Sequence, residues 1–174
     1  MRLSALLGRV LLLILPSHAF ACWDEAGNRY GVSPHLLYAI ARVESRLNPQ
    51  AINLTHRQRT GTYDIGLMQI NSSNLPALAR LGIDEHDLYN PCTNINVGAW
   101  LLAQTFSRHG VSWDGVGAYN ASCTQLKGLA CQSARSRYAW LVYRQLPAQE
   151  SPRAQRIAQT ATVRPPILTA RVSP

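Results

Sequence analysis

The sequence predicts a mainly α-helical (α+β) single domain interrupted by one small β-like excursion. Apolar residues recur at helical spacing in five segments of the 174-residue chain, most clearly over 93–109. The segment 53–71 instead combines glycines with short β-branched or aromatic runs, which favours a hairpin or a looped excursion. The chain length suits one domain with accessory segments, and we find no internal repeat in the sequence.

The amino-terminal segment, 1–21, has the three regions of a secretory signal peptide. Two arginines precede a short apolar run, and the small-residue site 19–21 follows. The run is too short to span a bilayer, and no later transmembrane segment is predicted. Cleavage after this site would place Cys22 first and predicts a periplasmic protein. A lipoprotein also begins with cysteine, but Ala19 stands where its signal usually has leucine.

Four cysteines, an even number in a protein predicted to be exported, indicate two disulfide bonds. They are Cys22, Cys92, Cys123 and Cys131, and three pairings are possible. Cys123–Cys131 is the local pairing, and it would leave Cys22–Cys92 to join the mature amino terminus to the middle of the chain. The sequence has no CxxC pair and no clustered histidines, so we expect no metal.

The helices are predicted from apolar spacing together with start and stop signals. Ser33 and Pro34 supply a side-chain cap and a first helical position for the second helix. Gly31, Gly82 and Gly110 follow three others as stop signals. The predicted helices cover 23–30, 34–47, 75–81, 93–109 and 133–146.

The positive charge of the chain is divided between its ends and its body. The formal net charge is +8, of which 1–21 holds +2, 147–174 holds +3 and 22–146 holds the remaining +3. The segment 147–174 has five prolines and no aromatic residue, so it is predicted to be a disordered tail. A mildly basic body suits an anionic polymer, but without a nucleic-acid-binding motif we expect no nucleic acid partner.

Glu44 lies on the second predicted helix at a position where the apolar pattern requires leucine. Leu37, Ile40 and Leu47 form the rest of this stripe. The ordinary explanation is a solvated glutamate at the edge of a narrow stripe. Against apolar neighbours, however, the carboxyl would be partly desolvated, which raises its pKa and keeps it protonated near neutral pH. Cleavage of a glycosidic bond requires such an acid.

Four short motifs follow one another along the chain: Glu44-Ser45 (ES), 66–69 (GLMQ), 94–98 (N-I-x-x-G) and 118–120 (AYN). In this order they resemble the motifs of the soluble lytic transglycosylase (SLT domain) family, bacterial enzymes that cut peptidoglycan. The similarity covers most of 22–146. The long link before GLMQ and the paired cysteines resemble the small enzymes that accompany type III secretion, conjugation and type IV pilus systems.

The resemblance implies a lysozyme-like domain over 22–146 whose substrate is the peptidoglycan glycan strand. Glu44 would protonate the oxygen between N-acetylmuramic acid and N-acetylglucosamine, then accept the proton of the muramic acid 6-hydroxyl. The product would be a 1,6-anhydro end, formed without water. No cofactor is implied, and we expect a monomer that works beside components of an envelope-spanning secretion or pilus complex.

Four further residues are implied to bind substrate or to position the acid, and each has a structural alternative. Ser45 would line the cleft or cap the end of the helix. Gln69 would bind an N-acetyl group or lock its own loop. Tyr119 would orient Glu44 or a sugar ring, or be a core tyrosine. Asn120 would bind sugar or cap the following turn.

Asp64 is the candidate second carboxylate. It lies at the start of the excursion that should face Glu44 across the cleft. It could stabilise positive charge on the sugar or orient a water, which would make hydrolysis by a muramidase an alternative. It could also be a simple turn residue. A second alternative is a non-catalytic wall-binding assembly factor, which would keep the cleft without needing Glu44.

The sequence departs from the family pattern directly after Asn120. Ser122 stands where the pattern often has glycine, and Cys123 follows at once. We therefore expect a disulfide, rather than the conformational freedom of glycine, to hold this loop. The segment 53–62 also lacks the family's serine and glycine signature, so no substrate contact is carried over to it.

Overall fold

The computed structural model describes residues 18–147, and in that range the chain is mainly helical. The predicted signal peptide, 1–21, and the predicted tail, 147–174, lie outside the described residues except for 18–21 and Pro147. The α-helices are α1 His18–Tyr30, α2 Pro34–Ser45, α3 Arg57–Thr60, α4 Leu75–Ala79, α5 Pro91–His109, α6 Trp113–Asn120 and α7 Gly128–Tyr143. The strands are β1 Ile52–Asn53, β2 Asp64–Ile65 and β3 Ile70–Asn71, and 3₁₀ helices cover Ser72–Asn74 and His86–Tyr89.

The helix that bears Glu44, α2, begins at Pro34 as predicted and ends earlier than predicted. The Ser33 hydroxyl makes no capping hydrogen bond, so the predicted side-chain cap is wrong. The helix stops at Ser45 because Arg46 and Leu47 both adopt left-handed backbone conformations, with φ of 56° and 66°. This reversal places Glu44 on the last turn of the helix, beside the chain that follows.

The long helix α5 lies at the centre of the described part. It begins before its predicted start because Pro91 takes the first helical position and the Asn90 side chain accepts a hydrogen bond from the Thr93 amide at 3.1 Å. Helices α1 and α6 pack against α5, and α7 packs against α6 and α2. The large side chains buried between these elements are Leu37, Ile40, Ile65, Met68, Ile70, Leu78, Leu88, Ile95, Leu102 and Val142.

Helix α6 is not predicted by the sequence because it contains two glycines, which lower helix propensity. Their missing side chains permit close packing instead. A Cβ on Gly117 would lie 2.6 Å from Arg135 on α7, and one on Gly115 would lie 2.5 Å from the Gly110 carbonyl oxygen. The Ser112 hydroxyl caps the helix by accepting a hydrogen bond from the Gly115 amide at 3.1 Å. Tertiary contacts therefore outweigh local propensity in this segment.

The other predicted helices are confirmed with shifted ends. Helix α7 begins at Gly128, ahead of its predicted start. The prediction missed these first turns because they are exposed and lack apolar periodicity. Helix α4 ends at Ala79 and is followed by a turn at Gly82. Within the described residues, no helix is long and apolar enough to cross a membrane.

The four cysteines form two disulfides, with the local pairing and the long-range pairing that the sequence analysis describes. Cys22–Cys92 joins α1 to the first turn of α5, and Cys123–Cys131 joins the loop after α6 to α7. Cys123 itself has a left-handed φ of 59°. The loop that follows Asn120 is thus held by a disulfide, as expected from the absence of glycine there.

The predicted excursion is a three-stranded antiparallel sheet with strand order β1-β2-β3. Ile65 pairs with Ile70 and both side chains are buried. The alternate positions form a polar row across the three strands, because Asn53 pairs with Asp64 and Asp64 pairs with Asn71. The mainly α fold with one small β excursion is confirmed.

Candidate active site

The loop that connects β2 to β3, with the sequence GLMQ, is held through its backbone by three helices. From α2, the Ser45 hydroxyl donates to the Leu67 carbonyl oxygen at 2.8 Å. From α6, the Tyr119 hydroxyl donates to the Met68 carbonyl oxygen at 2.9 Å. From α5, the Asn94 side-chain oxygen accepts from the Met68 amide at 2.7 Å. The four motifs found in the sequence therefore meet at one loop.

Asn94 and two glycines explain why this loop lies so close to α5. The fully buried Asn94 side chain also donates to the carbonyl oxygens of Ile65 and Leu88, at 3.0 and 2.7 Å. A Cβ on Gly66, whose φ is +74°, would lie 2.2 Å from the Asn94 amide nitrogen. A Cβ on Gly98 would lie 2.8 Å from the Met68 side chain. Asn94 has a positioning role that sequence reasoning missed; its place on an apolar helix face was the available signal.

Glu44 lies on the last turn of α2, partly buried beside this loop. The Tyr138 hydroxyl donates a hydrogen bond to its Oε1 at 2.5 Å. Burial raises the pKa of Glu44 from 4.5 to about 7, against the opposing effect of the Tyr138 hydrogen bond, and the charge of Asp64 adds to the rise. The carboxyl can therefore keep its proton close to neutral pH and can also exist as a carboxylate there.

Tyr138 is the second residue that sequence reasoning missed. It lies on α7 with 5% of its surface exposed. Its pKa is well above the usual value because of burial and the nearby Glu44 charge, so its hydroxyl remains a donor at neutral pH. The sequence places it on an apolar stripe, and a buried tyrosine hydroxyl generally needs a partner. Its partner lies 94 positions away, which local patterns do not reveal.

The Tyr119 hydroxyl has a backbone partner in the loop. It donates to the Met68 carbonyl oxygen instead of to Glu44. Burial raises the pKa of Tyr119 well above the usual value, and the charges of Glu44 and Asp64 raise it further by smaller amounts. Tyr119 is therefore close to both carboxyl groups while it fixes the backbone of the loop.

Ser45, Gln69 and Asn120 have surroundings that can be compared with their predicted alternatives. Ser45 is the last residue of α2, and its hydroxyl accepts from the Asn48 amide of the following turn at 3.2 Å, in addition to holding the loop. The Gln69 amide nitrogen donates to the Gly66 carbonyl oxygen at 2.8 Å, which is a loop-locking contact. Asn120 is exposed at the last position of α6.

Asp64 is held by side chains of the excursion. Its Oδ1 accepts from the Asn71 amide nitrogen at 2.8 Å, and its Oδ2 accepts from that of Asn53 at 3.4 Å. The His56 Nε2 lies 3.7 Å from the same Oδ2, with 19% of the Asp64 side chain exposed. These partners fix the carboxylate where its charge influences Glu44.

The two carboxyl groups have unlike surroundings, which is the arrangement that acid catalysis of glycosidic cleavage uses. Glu44 is desolvated and accepts one side-chain hydrogen bond, whereas Asp64 accepts two and also lies near His56. Over residues 18–147, no group of three His, Cys, Asp or Glu side chains is placed to hold a metal ion.

Comparison with known proteins gives a consistent result. The family model described as "Transglycosylase SLT domain" matches residues 21–138. Invasion protein IagB of Salmonella typhimurium (strain LT2) is 39% identical over 142 residues, which cover 79% of this chain and 84% of that protein. Protein IpgF of Shigella flexneri is 37% identical over 137 residues, covering 78% and 86%. The X polypeptide of Escherichia coli (strain K12) is 42% identical over 151 residues, covering 86% of each.

A solved structure supports the lysozyme-like fold. The lytic transglycosylase Slt from Pseudomonas aeruginosa, solved as an inactive mutant, matches with a TM-score of 0.55 and 23% identity. The match covers 74% of this chain but only 23% of that much longer chain.

Proposed function

Because the chain belongs to the transglycosylase SLT domain family, we propose that it is a lytic transglycosylase that cleaves peptidoglycan with Glu44 as its acid. The bond cleaved joins N-acetylmuramic acid to N-acetylglucosamine. The observation that carries this proposal is the Glu44 carboxyl, which is desolvated, has a pKa of about 7 and accepts one hydrogen bond from Tyr138.

The reaction needs one carboxyl group to act twice. Protonated Glu44 gives its proton to the glycosidic oxygen, and the bond from that oxygen to the muramic acid anomeric carbon breaks. The resulting carboxylate takes the proton of the muramic acid 6-hydroxyl as that oxygen bonds to the anomeric carbon. Glu44 is then protonated again, and no water is consumed. A pKa close to neutral suits both steps.

Two neighbours would assist at different moments. The Tyr138 hydroxyl favours the carboxylate, so it would stabilise Glu44 after the first proton transfer. Asp64 would stabilise the positive charge that develops on the sugar ring. The contacts of Ser45, Tyr119 and Gln69 to the loop support a positioning role, and any contact of theirs with sugar would be additional.

The experiment is to incubate the purified protein with sacculi and to identify the released muropeptides by mass spectrometry. Ends in 1,6-anhydro-muramic acid are about 18 mass units lighter than hydrolysed ends because no water is added. We expect anhydro ends from the wild type and none from Glu44→Gln. Reducing ends would instead indicate a muramidase that uses Asp64. Binding to sacculi without any product would indicate the wall-binding assembly factor.

We propose in addition that the enzyme is exported by its segment 1–21 and opens the wall locally for a secretion, conjugation or pilus machine. The name of the relative IagB, an invasion protein, supports such a role. Export predicts that the periplasmic protein begins at Cys22, which amino-terminal sequencing checks. The machine role predicts that a deletion strain assembles fewer envelope complexes and is rescued by the wild type but not by Glu44→Gln.

A further inference from the structure

Three exposed aromatic side chains form a continuous patch on α6 and α7. Trp113, Trp140 and Tyr143 are 45%, 59% and 50% exposed. The rings of Trp140 and Tyr143 are stacked, with centroids 5.3 Å apart and an interplanar angle of 17°. The Trp113 ring meets Tyr143 at 84°, with centroids 5.4 Å apart. The three rings contact one another, so they form one shaped surface and not three scattered residues. We call this surface the aromatic patch.

A fixed carboxylate borders the aromatic patch. Asp114 and Ser136 line the same groove, which has a volume of about 300 Å³. The Arg135 guanidinium donates to Asp114 Oδ2 at 2.8 Å and to the Ala121 carbonyl oxygen at 3.1 Å. Because Arg135 is only 9% exposed, it orients the carboxylate from below and offsets its charge. The groove thus combines apolar ring faces with an oriented hydrogen-bond acceptor.

The aromatic patch is separate from the residues around Glu44. On α6, Trp113 is at the first position. Tyr119, whose hydroxyl donates to the loop between β2 and β3, is six residues later. At 1.5 Å per residue, these positions are about 9 Å apart along the helix. On α7, Tyr138 is buried toward Glu44 while Trp140 is exposed. Helix α7 therefore presents different faces to the two places.

The size and chemistry of the aromatic patch favour a sugar chain over a folded protein. With about half of each ring exposed, the patch offers roughly 300 Å². A stable protein interface needs about 800 Å² per partner. The C–H faces of a pyranose ring pack on the negative face of an aromatic ring, and the hydroxyls at its rim donate to a carboxylate. The neutral balance of Asp114 and Arg135 suits an uncharged saccharide.

We propose that the aromatic patch is a second binding site for the glycan strand, away from Glu44. This proposal rests on peptidoglycan being the substrate of the enzyme. A second contact with the same polymer raises the effective concentration of glycosidic bonds at Glu44 without changing the chemistry there. The enzyme would then remain on one strand between successive cleavages.

The test measures binding to sacculi in Glu44→Gln protein, so that cleavage does not disturb the equilibrium. Trp140→Ala in this background should bind about tenfold more weakly, since it removes the most exposed ring of the stack. Leu141→Ala is the matched control because Leu141 is the next residue on α7 and is 49% exposed, but has no ring. Trp140→Phe should keep most of the binding. A soluble N-acetylglucosamine hexamer should compete with the sacculi, and maltohexaose should not.

Equal binding by the Trp140→Ala and Leu141→Ala proteins would overturn the proposal and leave the aromatic patch to a protein partner or to the proline-containing segment after Tyr143. In otherwise wild-type protein, Trp140→Ala should slow the digestion of sacculi several-fold while the anhydro nature of the products stays the same. A wild type that gives no anhydro ends but binds sacculi through Trp140 would refute the proposed function and support the second site. The two failures are therefore distinguishable.

Discussion

In the proposed mechanism Glu44 loses and regains a proton in one catalytic cycle, and its surroundings shift its pKa in both directions. Burial raises the pKa, whereas the Tyr138 hydroxyl lowers it. Burial alone would leave a poor base, and the hydrogen bond alone would leave a poor acid. The two effects together place the pKa at about 7.

We expect Glu44→Gln to abolish cleavage and to change stability only above about pH 4.5. The pKa of Glu44 is about 7 in the folded protein against 4.5 as a reference for the unfolded chain. Between these values the folded protein binds more protons, so the wild-type free energy of unfolding falls as the pH rises from about 4.5 to 7. Glutamine does not titrate. The variant should therefore match the wild type near pH 4 and be up to about 3 kcal/mol more stable near pH 8.

Urea unfolding at several pH values measures this difference, and muropeptide release measures the activity. A stability difference that does not depend on pH would mean that Glu44 is not desolvated. Sacculus cleavage by the folded variant would remove Glu44 from the mechanism.

The tyrosines that contact the site should differ in their effects on the pH profile. Tyr138→Phe removes the hydrogen bond that lowers the pKa of Glu44, so the decline of kcat/KM at alkaline pH should move to higher pH while kcat falls. Tyr119→Phe removes a bond to the Met68 carbonyl oxygen and should cost about 1 to 3 kcal/mol of stability. The decline of kcat/KM at alkaline pH should occur at the same pH in Tyr119→Phe as in the wild type. Equal shifts in both variants would contradict the separate roles of these hydroxyls.

Sequence reasoning at the residue scale singled out Glu44 as a desolvated carboxyl but did not find its hydrogen-bond partner. Glu44 stands out because it breaks a local periodicity, and that signal is contained within one helix. Tyr138 breaks no pattern, because a tyrosine on an apolar stripe is ordinary. Only the packing of α7 against α2 gives its hydroxyl a role.

At the scale of elements, the excursion packs directly against α5, and Asn94 and two glycines make this close contact possible. The buried amide of Asn94 satisfies backbone groups of three segments, at Ile65, Met68 and Leu88. Gly66 must be glycine for two independent reasons, its positive φ and the absence of space for a Cβ. A glycine that has a positive φ but free space around an added Cβ allows these two contributions to be separated.

We expect Gly66→Ala to be much more destabilising than Gly61→Ala. Both glycines have φ close to +74°, so alanine costs about 1 kcal/mol at either position from backbone conformation. At Gly61 nothing lies within 4 Å of the added Cβ, whereas at Gly66 it would meet Asn94 and the Leu88 carbonyl oxygen. The total cost at Gly66 should therefore exceed about 3 kcal/mol. Thermal unfolding of both variants measures the difference, and equal melting temperatures would contradict the packing explanation.

The elements were predictable where local signals were strong. Proline starts and glycine stops locate α2 and the end of α5, and apolar spacing identifies the stripes that they bury. The start of α7 and all of α6 were missed, because exposed turns lack periodicity and glycines suggest loops. In α6 the glycines are required by contact with Arg135 and Gly110, which belong to other parts of the chain.

At the scale of the whole molecule, the two disulfides close loops of very different length. Cys22–Cys92 spans 70 positions and Cys123–Cys131 spans 8. In the chain-entropy model the longer loop loses more freedom when it is closed, about 4 kcal/mol against about 2.5. Cys22 is in α1 and Cys92 is in α5, so the long loop includes α2, the whole excursion and α4.

Replacing both cysteines of a pair with serine should therefore lower the free energy of unfolding more for Cys22/Cys92 than for Cys123/Cys131. Chemical denaturation of the two double variants under oxidising conditions measures the two effects. The wild type in excess reductant should lose approximately their sum. A larger loss from the short loop would show that enthalpic contacts of the cystines outweigh chain entropy here.

The way in which the loop between β2 and β3 is held has a consequence for the substitutions that it could accept. The loop is held by hydrogen bonds to main-chain atoms of Leu67 and Met68, from the side chains of Ser45, Tyr119 and Asn94. None of these hydrogen bonds involves the two apolar side chains. These hydrogen bonds therefore fix the backbone shape of the loop, whereas the core limits its side chains, because Leu67 and Met68 are both buried and Met68 packs against Gly98. Laboratory evolution could therefore exchange positions 67 and 68 for other apolar residues of similar volume, while the backbone hydrogen bonds that hold the loop stay the same.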